Sequence, residues 1–191
     1  WDPKTNLPVG DHDRIEGEGE TPQEFSLFTF HLKDGRSIVT ATLRPDTVMG
    51  ITNVYVDPQE TYQEIEVKLP KGKETWIVGK PIIEKLKTQD YSITETKDVS
   101  GATLVGQKAK AYSGKEILIL PATFLDSNYG TGMVHSVPSD SADDLIALQD
   151  FQKDEETIKK FNLDVDEVKA IQPIAVFDTP EIGSCPAQFF L

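Results

Sequence analysis

The sequence predicts an α+β fold, a small β-barrel-like core with flanking helices, and three observations carry that prediction. Short runs rich in β-branched and aromatic residues recur along most of the chain, each bounded by Gly, Pro or Asp. The tetrapeptide Lys33-Asp34-Gly35-Arg36 places Asp-Gly between two such runs, a strong antiparallel hairpin signal. Apolar residues at helical spacing come late, as Leu145, Leu148 and Phe151 and then Ile158 and Phe161. Many short strands with helices inserted late suggest one domain on a closed or nearly closed sheet.

In chain order, Trp1–Thr21 mixes Pro3, Pro8, Gly10, Gly17 and Gly19 with Asp and Glu, and reads as a linker or hinge ribbon. Phe25–Leu32 and Ser37–Leu43 are the hairpin strands. Pro45 breaks the second, a short turn or helix covers Asp46–Gly50, and a strand follows through Ile51–Val56. Glu64–Leu69 alternates cleanly and Thr75–Val78 continues the β character. Pro81 sits at the first helical position of a helix running to about Lys87. Signals from Tyr91 to Ala111 are short and mixed, and no chemistry is assigned there. Glu116–Leu120 and Met133–Val137 have the branching of buried strands. Asp164–Val168 is expected to add a helical turn, Pro173–Phe177 a last strand, and Pro180–Pro186 an exit ribbon. The organisation is therefore 1–21 hinge, 22–178 domain and 179–191 exit linker.

Composition bounds the function. With 191 residues and 38% hydrophobic content, the chain can bury one sizeable core. No apolar run approaches the roughly 20 residues needed to cross a bilayer, so no membrane partner is expected. The single cysteine, Cys185, allows no internal disulfide, which suits a reducing cytoplasm. Trp1 opens the chain where an initiator Met would stand, as in a segment excised from something longer. Asp11-His12-Asp13 offers one imidazole with no second His or Cys at ligand spacing, so no metal site is expected. The formal charge of −13 argues against autonomous nucleic-acid binding, which normally uses clustered Lys and Arg. A domain that receives only the end of a polynucleotide held elsewhere escapes that objection.

Two stretches concentrate chemistry. In Gly130–Asp144 a glycine loop, a short apolar strand and an acidic helix start follow one another. Gly130 and Gly132 permit close approach of a ligand to the backbone. Ser141 and Asp144 have capping-box spacing, which places Asp144 in a first helical turn, where it either merely caps the helix or faces a ligand beside the glycine loop. The second stretch, Thr40–Asn53, gathers hydroxyls around an Arg-Pro break at the end of a strand.

Together these resemble the editing domain of leucyl-tRNA synthetase, in its archaeal and eukaryotic form. Thr-Leu-Arg-Pro-Asp-Thr-Val-Met-Gly, from Thr42, is similar to that family's threonine-rich motif. Gly-Thr-Gly-Met-Val-His-Ser-Val-Pro-Ser-Asp-Ser-Ala-Asp-Asp, from Gly130, is similar to its second motif and ends on the family's aspartate at Asp144. The isoleucyl form lacks the Arg-Pro-acid run, and the valyl form usually has His-Asp where this chain has Asp140 and Ser141. The likeness spans most of Gly10–Phe177.

The resemblance implies hydrolysis of a wrong amino acid, of norvaline or isoleucine type, from the 3′ end of tRNA(Leu). It implies Asp144 as anchor of the ammonium, Thr42 as a hydroxyl near the ester, and Thr47 as the residue that crowds out leucine. Thr40, Leu43, Val137 and Asp140 join them as substrate-binding positions. Arg44 either positions the motif, meets phosphate or is a plain surface arginine; His135 either lines the terminal adenosine's pocket or is structural. Carboxylates near a helix start tend towards a lowered pKa, which would make Asp144 a good anchor and a poor base. No cofactor is expected in this domain, since ATP and magnesium belong to the parent enzyme's synthetic site; the partners are tRNA(Leu) and the rest of the synthetase. The competing reading is a non-catalytic module that binds an amino acid or adenosine, or serves interaction.

Overall fold

The computed structural model describes residues 24–178, 180 and 183–189; the hinge and the Asp11-His12-Asp13 cluster lie outside them. Among the described residues nine strands form one sheet in the order β6-β4-β5-β2-β1-β7-β8-β3-β9. In chain order these are β1 (Ser26–Leu32), β2 (Ser37–Thr42), β3 (Asn53–Val56), β4 (Thr61–Leu69), β5 (Gly72–Val78), β6 (Ser92–Ser100), β7 (Lys108–Lys110), β8 (Glu116–Pro121) and β9 (Val134–Ser136). Pairings are antiparallel except β2 with β5 and β3 with β8. The expected Asp-Gly hairpin forms: Leu32 N–H donates to the Arg36 carbonyl at 2.8 Å, and Gly35 takes φ +88°.

Period-two alternation divides the strands between two faces. Ile38, Val54, Val56, Tyr62, Ile77, Ile117 and Ile119 share the main core, together with Phe30 and Met133. Their neighbours Val39, Ile65, Val67, Trp76 and Val78 point the other way, against helix α1 (Lys80–Thr88) through Ile82, Ile83 and Leu86. Farther along, Tyr55, Leu118 and Leu120 pack with Leu148, Ile158 and Val168 from α2 (Ala142–Lys153), α3 (Glu155–Lys160) and α4 (Val165–Lys169). The sheet is thus wrapped round one core and buttressed by helices at two places on its outer face. Burial of these apolar side chains, each contributing about 1.5–3 kcal/mol, is the main cohesive term.

The structure corrects one expectation, the strand at Pro173–Phe177, and adds detail to three others. The sheet has two edges, β6 and β9, so it curls without closing and the barrel description is loose. The segment from Tyr91 to Ala111 supplies the nine-residue strand β6, whose mostly exposed charged residues are held by pairing with β4 rather than by an apolar pattern. Pro173–Phe177 makes no strand. Instead it packs over the threonine motif: a Cβ on Gly50 would lie 2.5 Å from Val176 Cγ2 and 3.0 Å from the Ile174 carbonyl oxygen. The expected exit ribbon ends in α5 (Pro186–Phe189), where Ala187 N–H donates to the Ser139 carbonyl at 3.0 Å.

The Gly50 contact makes a test. Gly50→Ala forces a methyl against Val176, Val137 and the Ile174 carbonyl, so it should destabilise the fold by about 1–3 kcal/mol in urea denaturation. An unchanged midpoint would show that 174–176 does not clamp the motif.

Candidate functional site

The two stretches singled out in the sequence meet at a cavity of about 220 Å³, lined by Ala41, Thr42, Arg44, Thr47, Val134, His135, Val137, Asp140, Ser141 and Asp144. The first stretch arrives on β2 and turns at Arg44-Pro45 into a 3-10 turn, Pro45–Gly50. The second arrives through the glycine loop, where Gly130 and Gly132 adopt φ +56° and +73°. That loop is pinned from two sides: Gly79 N–H donates to the Thr131 carbonyl at 2.7 Å, and the Tyr62 hydroxyl donates to the Gly132 carbonyl at 3.3 Å.

β2 and β9 are not neighbours in the sheet, yet a side-chain hydrogen bond joins them. Thr40 Oγ1 lies 2.6 Å from His135 Nδ1, with both residues buried. The rings of Phe28 and Phe30 stand 6.0 and 5.9 Å from the imidazole. Burial in this apolar nest pushes the His135 pKa down to about 4, so the ring is neutral at physiological pH. Thr40 therefore supports the site from behind and does not line it. Leu43 does not line it either, and is exposed.

Asp144 stands at the start of α2. Ser141 is the N-cap, its Oγ accepting from Asp144 N–H at 3.3 Å. The reciprocal half of the expected capping box is absent, because Ser141 N–H donates to the Val137 carbonyl. The Asp144 carboxylate instead accepts from Val137 N–H at 2.8 Å. Burial holds its pKa above the usual carboxylate value, against the lowering by Val137 and Ser141, while the Asp143 charge adds to the rise. The expected helix-start lowering is thus outweighed by desolvation. A carboxylate in that state gains strongly from an ammonium partner, which would return the solvation it has lost.

The hydroxyls differ in what they have left to offer. Thr42 Oγ1 accepts from Arg44 N–H at 3.0 Å, so its own proton is available to a ligand. Thr47 is nearly buried and spends its proton on the Arg44 carbonyl at 3.0 Å, which leaves it chiefly a wall. Arg44 pairs with Asp46 through contacts of 3.1 and 2.8 Å, with about two thirds of its side chain exposed. Its pKa is raised by Asp46 first, with a smaller contribution from Asp140 across the cavity. The Asp140 carboxylate accepts from the Ser139 hydroxyl. At about 220 Å³ the cavity falls below the usual 300–1,000 Å³ of sites that enclose a whole ligand, so it suits one end of a larger molecule.

From sequence Ser141 reads only as a cap, and nothing marks Ala41 or Val134 for the site. Ala41 and Val134 carry no polar signal; their place follows from alternation with Thr40 and His135 once the register is known. Among the described residues no group of three His, Cys, Asp or Glu side chains could hold a metal ion, and no helix is long and apolar enough to cross a membrane.

A family model described as leucyl-tRNA synthetase, editing domain, matches residues 24–176. The leucine–tRNA ligase of Pyrococcus abyssi is 37% identical over 98% of this chain and 20% of its own length. That of Methanocaldococcus jannaschii is 43% identical over 78% of the chain and 17% of its own length. The chain therefore spans about a fifth of the ligases it matches. Among solved structures, GlLeuRS-CP1 superposes with a TM-score of 0.72 at 27% identity, covering 81% of this chain and 62% of that one. The P. knowlesi cytosolic leucyl-tRNA synthetase editing domain shares the fold, with a TM-score of 0.76 at 21% identity over 88% of this chain and 75% of that one.

Because His135 is neutral when folded, its contribution to stability is present above the ordinary imidazole pKa of 6.5 and is lost as pH falls towards its folded value of about 4. The stability difference between the natural chain and His135→Gln should shrink by about 3 kcal/mol between about pH 7.5 and about pH 4. Urea titrations at a series of pH values measure it, and a flat difference would contradict the buried neutral ring.

Proposed function

Because the chain belongs to the leucyl-tRNA synthetase editing-domain family, we propose that it is the part of a leucine–tRNA ligase that hydrolyses the ester of a wrong amino acid on the 3′ end of tRNA(Leu). The observation that supports this most is the convergence of two distant motifs on one small cavity, with Thr42, Thr47 and Asp144 on its wall. The aminoacyl end enters the cavity and the polynucleotide stays outside. That division fits both the cavity's size and the chain's charge of −13. Residues 22–178 act as the editing unit, with 1–21 and 179–191 connecting it to the rest of a cytoplasmic ligase.

Asp144 binds the α-ammonium. This ion pair fixes the amino acid and compensates a carboxylate that burial has deprived of water. Thr42 donates its free proton to the ester carbonyl, which gathers negative charge when water attacks. The carbon–oxygen bond to the ribose then breaks, and the ribose oxygen takes up a proton. His135 stays neutral and bound to Thr40, so it shapes the cavity and takes no part in proton transfer. Val137 presents its N–H to Asp144, and Asp140 and Arg44 stand on the cavity wall, while Leu43 lies exposed outside it. Thr47, its hydroxyl already engaged, excludes the branched leucine side chain by bulk. Such a fit discriminates by about 1–3 kcal/mol, the range in which a binding pocket alone fails a synthetase and a hydrolytic second site becomes useful.

Deacylation of norvalyl-tRNA(Leu), measured for this chain and for a full-length ligase carrying it, tests the proposal; no hydrolysis in either would reject it. Asp144→Ala should abolish hydrolysis while the chain stays folded by circular dichroism, since the N-cap Ser141 remains and losing the hydrogen bond to Val137 N–H costs about 1–3 kcal/mol. Parental rates in a folded variant would remove Asp144 from the reaction. Thr47→Ala should hydrolyse leucyl-tRNA(Leu) and keep its activity on norvalyl-tRNA(Leu). A norvaline-active variant that leaves leucyl-tRNA untouched would show that Thr47 is not the gate.

A further inference from the structure

Asp144 stands on the wall of two cavities. One is the 220 Å³ pocket described above; the other, about 900 Å³, is lined by residues of α2, α3 and the segment Pro121–Phe124, and Tyr55 lines the larger one only. On the sheet face that carries α2, three polar side chains lie close together in register. Asn53 on β3 is directly opposite Ser136 on β9, and Tyr55 is two residues along β3 on the same face. All three residues are at most 2% exposed. Asn53 Nδ2, the Tyr55 hydroxyl and Ser136 Oγ are buried and make no hydrogen bond of good geometry among the described residues. The Asn53 amide orientation follows from its other end, since Oδ1 accepts from the Thr52 hydroxyl at 2.7 Å and so turns Nδ2 towards the cluster.

Unpaired buried polar atoms each cost about 1–3 kcal/mol, so three in one place are unexpected without a purpose. They do form a suitable set for a bound water: one amide donor and two hydroxyls that can donate or accept, within the 2–4 partners such a water uses. The cluster also adjoins the site. Val137, next to Ser136, is the residue whose N–H holds the Asp144 carboxylate.

We propose that Asn53, Tyr55 and Ser136 hold one ordered water beneath Asp144 and act as positioning residues that stabilise its ionised carboxylate. The proposal deepens the editing reading, since Asp144 is the ammonium anchor there. Burial pushes the Tyr55 phenol up to about 12; the Asn53 and Ser136 side chains, close to the hydroxyl but outside good hydrogen-bond geometry, act to lower it, and the charge of Asp144, on the wall of the same larger cavity, acts to raise it. The other charged or titratable groups around Asp144 are Asp143 on its own helix, Asp140, Arg44 and His135 around the small pocket, and Asp150, Asp154 and Lys160 along the large one. Of these Asp143 opposes ionisation, as burial does, which leaves the task of favouring the charge to fixed dipoles such as the Val137 N–H and this polar cluster. Phe124, stacked edge-on against Tyr55 at 5.4 Å, packs the ring without touching the proposed hydroxyl function.

The test is a carbon-detected NMR titration of the Asp144 carboxyl in the 191-residue chain, for the natural sequence, Tyr55→Phe, Ser136→Ala and Phe124→Ala. Removing either hydroxyl should raise the Asp144 midpoint by about one pH unit, a tenfold gain in proton affinity, while Phe124→Ala leaves it in place. Thermal melts check folding, and Ser136→Ala keeps the test decisive if Tyr55→Phe proves unstable. In deacylation assays the acid limb of kcat/KM should move to higher pH with the alkaline plateau kept within about twofold; a purely structural defect would lower both. Unmoved midpoints in folded variants overturn the proposal, as does a high-resolution crystal structure with no water among the three atoms. A shifted midpoint in a chain that hydrolyses nothing would support the positioning role and count against the editing reading, so the two stand or fall separately.

Discussion

The hydrogen bond between Thr40 and His135 ties together the two strands on which the site depends. β2 and β9 lie far apart in the sheet order, and only the curl of the sheet brings their inner faces together. Each strand leads directly into one half of the cavity, β2 into the threonine motif and β9 into the turn before α2. A buried imidazole hydrogen-bonded to a hydroxyl is a rigid spacer, and desolvation keeps it uncharged. With that contact in place the sheet can remain open at β6 and β9 and still hold a cavity of fixed width.

Desolvation also organises the chemistry. The same burial that keeps His135 neutral raises the proton affinity of Asp144, which receives the Val137 N–H and little other compensation. An ammonium entering the cavity would supply it. The site is therefore better matched electrostatically to a cationic group than to an anion, in keeping with the chain's net charge of −13. Arg44, the cation at the entrance, is already paired with Asp46 on the surface, where such a pair contributes little to stability and exchanges readily for another anion.

Support for the site comes from segments that carry no chemistry of their own. The Tyr62 hydroxyl and the Gly79 backbone hold the glycine loop, 174–176 lies over Gly50, and α5 reaches back to Ser139. Close backbone approach at Gly50 and Gly79 admits no side chain, so these contacts are matched in shape as tightly as a core.

By itself the sequence determined the strands with clean alternation, the Asp-Gly hairpin, the helix begun at Ser141 and the two motifs with their family. These signals are local: turn chemistry, period-two burial and capping act within a few residues, and a long motif is specific in itself. Tertiary structure decided the rest. β6 was illegible because its exposed charged residues follow no apolar pattern and are held by pairing with β4. Pro173–Phe177 had strand composition but found its stabilisation in packing on Gly50. The direction of the Asp144 shift was misread because the helix-start rule is local, whereas desolvation depends on what the whole fold lays over the carboxyl. Thr40 and Leu43 belong to the same motif as Thr42, yet one is buried against His135 and the other exposed, since only the register and curl of the sheet determine which residues of a motif reach the cavity.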